Sequence, residues 1–201
     1  MMNTDYIETI KKRRSIYALG KNVETPYEEV ASLIKAAIRE SPTAFNNQTV
    51  RAVILFNEHS DQLWEIVAEA LKQEVPDEAA YAKTRTKIDS FKAGIGTILL
   101  FTDEAVVQQY QNDYALYADN FANWAEQAIG NAQINIWQAL ATNDIGASNQ
   151  HYNPLINEAV QKTFDLPASW TLRAQMPFGS IEAPAGAKDY LADEDRFKVL
   201  K

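Results

Sequence analysis

Apolar residues along this chain recur at helical spacing in long stretches and close up into short runs between them. Residues 26–39 place Val30, Leu33, Ile34, Ala37 and Ile38 on one stripe, the spacing of a helix with one buried face. Thr25 as cap, Pro26 at the first helical position and Glu28 completing a capping box mark its start. Ser41-Pro42 ends it, because a residue before proline is pushed out of the α region. Residues 4–14 predict a short helix with Tyr6, Ile7 and Ile10 inward and Asp5 and Glu8 at capping-box spacing. Residues 60–73 carry Leu63, Trp64, Val67, Ala70 and Leu71 on one side, and Pro76 separates them from a helix at 78–92 closed by Gly94. A long helix is predicted at 121–142, with Trp124, Ala128, Ala132, Ile136, Ala139 and Leu140 inward, and one more at 155–164.

The runs TVRAVILF (49–56) and GTILLFTD (96–103) read as buried strands, with Asp103 capping the helical segment that follows. DIGAS (144–148) reads as a short strand and turn. WTLRAQMPF (170–178) alternates: Trp170, Leu172, Ala174, Met176 and Phe178 point one way, Thr171, Arg173, Gln175 and Pro177 the other. The tail RFKVLK reads as a last short strand, which would project Arg196 and Lys198 from one face. Few strands separated by long helices imply a helix-rich α+β, three-layer domain around one small sheet. With no repeat, low-complexity tract or linker, residues 1–201 are expected to form a single domain.

Composition narrows the chemistry. A hydrophobic fraction of 46% supports a real core, and a net charge of −8 opposes binding to nucleic acid or an anionic membrane surface. The absence of cysteine removes disulfides, thiolate metal sites and cysteine nucleophiles. The N-terminus carries charge early and has no apolar signal core, and no run approaches a membrane span. A soluble, cytoplasmic protein is expected. The two histidines, His59 and His151, lack metal-site spacing, and neither a GxSxG elbow nor a Walker pattern is present. GIG at 94–96 leads into a strand, and Leu99 stands where a dinucleotide fingerprint needs its third glycine, so a Rossmann site is rejected.

Three stretches remain as candidates. KKRRS (11–15) suits the cationic end of a helix. It also suits a phosphate socket, because arginine's planar fork makes paired hydrogen bonds to such an anion. SPTAFNNQ (41–48) suits an ordinary turn, yet the amides of Asn46 and Gln48 can read a mixed donor–acceptor edge such as a flavin pyrimidine. Tyr110, Tyr114, Tyr117, Phe121 and Trp124, at steps of four, three, four and three, predict one helix face that packs a core, lines a subunit interface or walls a planar-ligand pocket.

Taken in order, RRS (13–15), PTAFNNQ (42–48), KAGIGTILLF (92–101), DIGASNQHYNP (144–154) and EDRFKVL (194–200) resemble the FMN-dependent nitroreductase family, in its short fatty-acid-repression-type branch. The resemblance implies a homodimer with FMN at the subunit interface, a C-terminal segment reaching across the partner, and a small, mainly antiparallel central sheet. It implies that Arg13 and Ser15, with Arg14 beside them and Arg196 and Lys198, hold the phosphate and ribityl chain. It further implies that Thr43, Asn46 and Gln48 contact the ring or ribityl group, that Lys92 faces the pyrimidine edge, and that Ser148, Asn149, Gln150 and His151 lie near the reactive face. The implied activity is ping-pong hydride transfer from NADH or NADPH through flavin N5 to a small planar nitroaromatic or quinone-like acceptor. A flavin-binding regulatory or storage protein with little turnover is the alternative. Phe45 and Thr49-Val50 stand where longer branches often carry Gly and Pro-Trp, so the pocket's shape is expected to differ.

Overall fold

The computed structural model describes residues 2–75 and 77–201; Pro76, expected as a helix break, lies outside them. Its elements are α1 (Asp5–Lys12), β1 (Leu19–Gly20), α2 (Tyr27–Arg39), β2 (Val50–Phe56), α3 (Asn57–Lys72), α4 (Glu78–Lys92) and β3 (Gly96–Asp103). They continue with α5 (Glu104–Asp113), α6 (Phe121–Thr142), β4 (Ile145–Ala147), α7 (Asn157–Thr163), β5 (Trp170–Ile181) and α8 (Asp193–Arg196).

The strands pair antiparallel in the order β1-β5-β3-β2, and β4 adds to the other edge of β5. Every residue of β3 is buried because helices cover both faces of the sheet. Successive side chains alternate between faces, so Ile98 and Leu100 join Val30 and Ile34 of α2 and Ile129, Ile136 and Leu140 of α6. Leu99 and Phe101 meet Leu63, Trp64 and Val67 of α3, Ile88 and Phe91 of α4 and Val160 of α7. The result is the three-layer, helix-rich α+β arrangement that the pattern implied. Asp103 caps α5 as expected, its carboxylate accepting from the Ala105 N–H. Among the described residues no helix is long and apolar enough to cross a membrane.

Several local expectations are corrected. The alternation in β5 does not hold along its length. Leu100 faces Ala174 but Phe101 faces Leu172, so Arg173 is an extra residue, a bulge. The bulge reverses the strand's parity: Trp170 and Leu172 pack with α3 and α4, while Ala174, Met176 and Phe178 pack with α2 and α6. Gln175 and Pro177, expected to face outward, are buried because the centre of the sheet is covered on both sides.

Helix α1 buries none of its residues, and Tyr6, Ile7 and Ile10, expected inward, are exposed. No capping box forms there: Asn3 Oδ1, not Glu8, accepts the Asp5 N–H at 2.7 Å. Thr25 does not cap α2, which begins one residue later than expected. Pro26, in extended conformation, is its boundary residue, and its carbonyl accepts from Val30 at 3.1 Å. The tail forms no strand. Asp193, Glu194 and Asp195 instead start the helical turn α8, where acids offset the helix dipole, and residues 197–201 run on exposed and unpaired with the sheet. Arg196 and Lys198 therefore do not share a strand face.

Candidate functional site

The chain leaves α1 at Arg13 in extended conformation and runs beside β4. Ser15 bridges to Ala147, and the Ile16 N–H donates to the Ala147 carbonyl at 2.9 Å. Ile16 and Leu19 are buried and Leu19–Gly20 enters the sheet, so Ile16 to Gly20 anchor the cationic segment. The Arg13 guanidinium lies 4.6 Å from the centroid of the Trp137 ring on α6. Its Nε is buried with no hydrogen-bond partner among the described residues. Burial, and then the charge of Arg14, lower the pKa of Arg13 from its usual value. Arg14 donates from Nη2 to the Gly186 carbonyl at 2.9 Å. Arg13, Arg14 and Ser15 face residues 183–186 and Lys188 across a cavity of about 540 Å³. Lys11 and Lys12 stay exposed at the helix end, with Lys11 2.7 Å from Glu8.

The 41–48 segment is fastened to the same helix. Asn131 and Asn135 of α6 donate to the Pro42 carbonyl and the Ser41 hydroxyl at 3.0 and 2.9 Å. Thr43 Oγ1 accepts the Gln48 N–H at 2.9 Å and closes the loop on itself. Phe45, Asn46 and Gln48 have φ of 54°, 53° and 50°. Such left-handed conformations in non-glycine residues cost energy and gather at binding sites. Asn46 and Gln48 are exposed, and Gln48 Nε2 makes a long 3.5 Å bond to the Asn46 carbonyl. Phe45 contacts Tyr114, Tyr117, Phe121 and Trp124, with ring centroids 4.8 to 6.0 Å apart. The aromatic series is not one helix face: Tyr114 breaks α5 at φ −126° and ψ 61°, a 3-10 turn carries Tyr117, and Phe121 opens α6. Four of the five rings still converge on Phe45, and Tyr110 joins them through Tyr114 and Phe121. Thr43, Phe45 and Trp124 line a second cavity of about 390 Å³ with Asn131.

The 148–153 loop follows Ala147 directly, so the parallel Ser15–Ala147 bridge sets its start beside Ser15 and Ile16. Ser148 is fully buried and accepts from Gln150 Nε2 at 3.1 Å. Gln150 exchanges backbone hydrogen bonds with Gln175 at 2.8 and 2.9 Å. Gln175 Oε1 accepts the Tyr152 N–H at 2.7 Å, and its Nε2 donates to Asn153 Oδ1 at 3.3 Å. Ser148 and Gln150 thus hold the loop's shape. His151 is exposed, its Nε2 3.5 Å from Asn149 Nδ2, and Asn149 Oδ1 is buried with no partner among the described residues.

The parallel bridge therefore sets Ser15 beside the start of the 148–151 loop, while Arg14 lies on the side of Ile145 and Gly146. Trp137 shares α6 with the Asn131 and Asn135 anchors of the Thr43–Gln48 loop, which lie about 9 and 3 Å from it along the axis at the usual rise. Lys92 is committed elsewhere: its Nζ lies 2.6 Å from Glu65, which Arg85 also grips with two 2.7 Å bonds. Arg196 and Lys198 sit in the exposed tail. Trp137 and Gln175 escaped the sequence reading. The signal available for Gln175 was an amide at a buried register position; Trp137 offered only a half-buried place in a long helix.

The sheet thus lies between helix layers, with a cationic segment and an amide-rich loop both held against α6. Residues 10–180 match the model of the Nitroreductase family, and the chain belongs to that family. It is 35% identical over 191 residues to HBN1 of Saccharomyces cerevisiae, covering 94% of each chain. The structure of nitroreductase CinD from Lactococcus lactis in complex with nicotinic acid is 54% identical, with a TM-score of 0.90 and coverage of 98% of this chain and 100% of that one. CinD is also known in complex with 4-nitrophenol. A nitroreductase with bound FMN from Desulfitobacterium hafniense shares the fold at 18% identity, with full coverage of both chains and a TM-score of 0.70.

Proposed function

We propose that this protein is an FMN-dependent NAD(P)H oxidoreductase that reduces small planar nitroaromatic or quinone-like acceptors, working as a homodimer. The observation that carries the reading is Arg13: a half-buried guanidinium whose Nε has no partner among the described residues, in a chain of net charge −8. A cation withdrawn from water in an acidic protein calls for an anionic partner, and the phosphomonoester of FMN fits it.

Arg13, Arg14 and Ser15 would hold that phosphate, with Arg196 and Lys198 brought up from the tail. Thr43, Asn46 and Gln48 would meet the ring or ribityl chain, with the two exposed amides offering both donors and acceptors. Ser148 and Gln150 would keep the 148–151 loop in shape, and Asn149 and His151 would face the ring. A pyrimidine-edge role for Lys92 requires its pair with Glu65 to open. When bound, FMN supplies the two-electron chemistry between NADH or NADPH and the acceptor; no side chain need act as acid or base. CinD's complexes with nicotinic acid and 4-nitrophenol support the same ligand classes here.

The dimer reading draws on apolar groups the single chain leaves bare: Ile7 of α1, and Leu191, Phe197, Val199 and Leu200 in the C-terminal segment. Bare apolar side chains gathered in a terminal segment mark an association surface, and reaching across a second copy would cover them. The purified protein is expected to be yellow, to oxidise NADH or NADPH when 4-nitrophenol is supplied, and to sediment as a dimer. A colourless protein that cannot be reconstituted with FMN sinks the reading, and a stable, FMN-loaded monomer sinks the dimer.

A further inference from the structure

We propose that Trp137 is a positioning residue for the flavin phosphate: through Arg13, its indole sets how strongly the protein prefers FMN over riboflavin. The inference rests on the FMN reading above. Arg13 lies in an extended segment just past a helix end, where an arginine ordinarily samples many rotamers. Here its guanidinium is 4.6 Å from the centre of the Trp137 ring. The indole is itself fixed, because its Nε1–H donates to the Ala147 carbonyl at 3.1 Å. That carbonyl also accepts the Ile16 N–H at 2.9 Å. One oxygen thus fastens both the backbone just after Arg13 and the ring against its guanidinium.

The consequence is a pre-set fork. The indole covers the guanidinium, and Nε is buried without a partner among the described residues. The terminal nitrogens are what remains to meet an anion, and a planar fork held in one orientation loses less freedom when it grips a phosphate. Arg14 is oriented differently, by its 2.9 Å bond from Nη2 to the Gly186 carbonyl and not by the indole. Riboflavin has the same ring and ribityl chain but no phosphate, so it reports everything except this contact.

The test is fluorescence titration of flavin-stripped protein with FMN and with riboflavin. Trp137→Leu is expected to weaken FMN binding roughly 3- to 30-fold, the worth of a cation–π interaction at a partly desolvated site, and to leave riboflavin binding unchanged. Trp137→Phe keeps a ring but not the Nε1–H, so it should fall between; it also carries the test if the leucine variant does not fold. In an Arg13→Ala background, Trp137→Leu should cost nothing further for FMN. Equal weakening for both flavins, unchanged FMN binding, or full additivity with Arg13→Ala each overturns the positioning role while the FMN reading stands. Wild-type protein that binds riboflavin as tightly as FMN removes the phosphate contact itself, and a failure to bind either flavin removes the FMN reading with it.

Discussion

The ring of Phe45 lies 4.8 Å from that of Tyr114, joining a loop residue at φ 54° to the residue that ends α5. The loop accepts an unfavourable backbone at Phe45, and the contacts of its ring with four others offset it. Phe45→Ala removes the rings' partner and keeps the backbone penalty, while Phe45→Gly removes both. The glycine variant should therefore be more stable than the alanine variant by about 1 kcal/mol, the cost of a left-handed Cβ. Urea midpoints of the two variants check this; an alanine variant at least as stable would show that the loop relaxes.

Arg13→Ala should weaken FMN binding by about 1.5–3 kcal/mol, the worth of a charge-assisted hydrogen bond. Calorimetric titration measures it. Unchanged affinity with a small drop in stability would return Arg13 to the role of a helix-end cation.

Glu65 sets an acid limb. Hydrogen bonds from Arg85 and then Lys92 hold its carboxyl from a usual 4.5 down to about 2. A depressed carboxylate gives stability that is complete above its unfolded value and is lost as pH falls through its folded one. The contribution is thus full above about pH 4.5 and drains away towards pH 2. Its side chain is 46% exposed, so screening limits the amount to about 1 kcal/mol at most. Glu65→Gln should flatten the pH dependence of unfolding in that window, and added salt should do part of the same to the wild type.

Two glycines should respond in opposite directions to alanine. A Cβ at Gly179 would collide with the Gly20 carbonyl and crowd Gly94 Cα at 2.9 Å, and those are backbone atoms. Gly179→Ala should cost about 3 kcal/mol, the upper part of the range for overpacking. Gly130, inside α6, has nothing within 4 Å of a new Cβ. Gly130→Ala should stabilise by about 0.5–1 kcal/mol by helix propensity alone. Thermal midpoints give both signs.

What could be read in the sequence followed from how local its cause was. The strand at 96–103 was legible because its residues avoid charge until Asp103, and that acid caps its own neighbour's helix. Helix α6 was legible at both ends because its apolar stripe is long and continuous. The bulge at Arg173 was not, because an alternating string reads equally well on either parity; only the register against Leu100 and Phe101 reveals the slip. Helix α1 showed its stripe, but the described residues leave Ile7 and Ile10 exposed. The site divided in the same way. Arg13 and Ser15 became candidates by residue type alone. Trp137 reaches Arg13 only through tertiary packing, and Lys92 was claimed by Glu65 from a different helix.

The slip in β5 also divides the strand's evolutionary liberties. Side chains at 170 and 172 answer to the layer built on α3 and α4, those at 174, 176 and 178 to the layer built on α2 and α6. Substitutions that re-tailor one layer leave the other's jigsaw alone, so the two halves of a single strand can drift independently. A one-residue deletion at Arg173 would straighten the strand and leave Leu172 opposite Phe101 and Ala174 opposite Leu100, so each side chain would keep its layer.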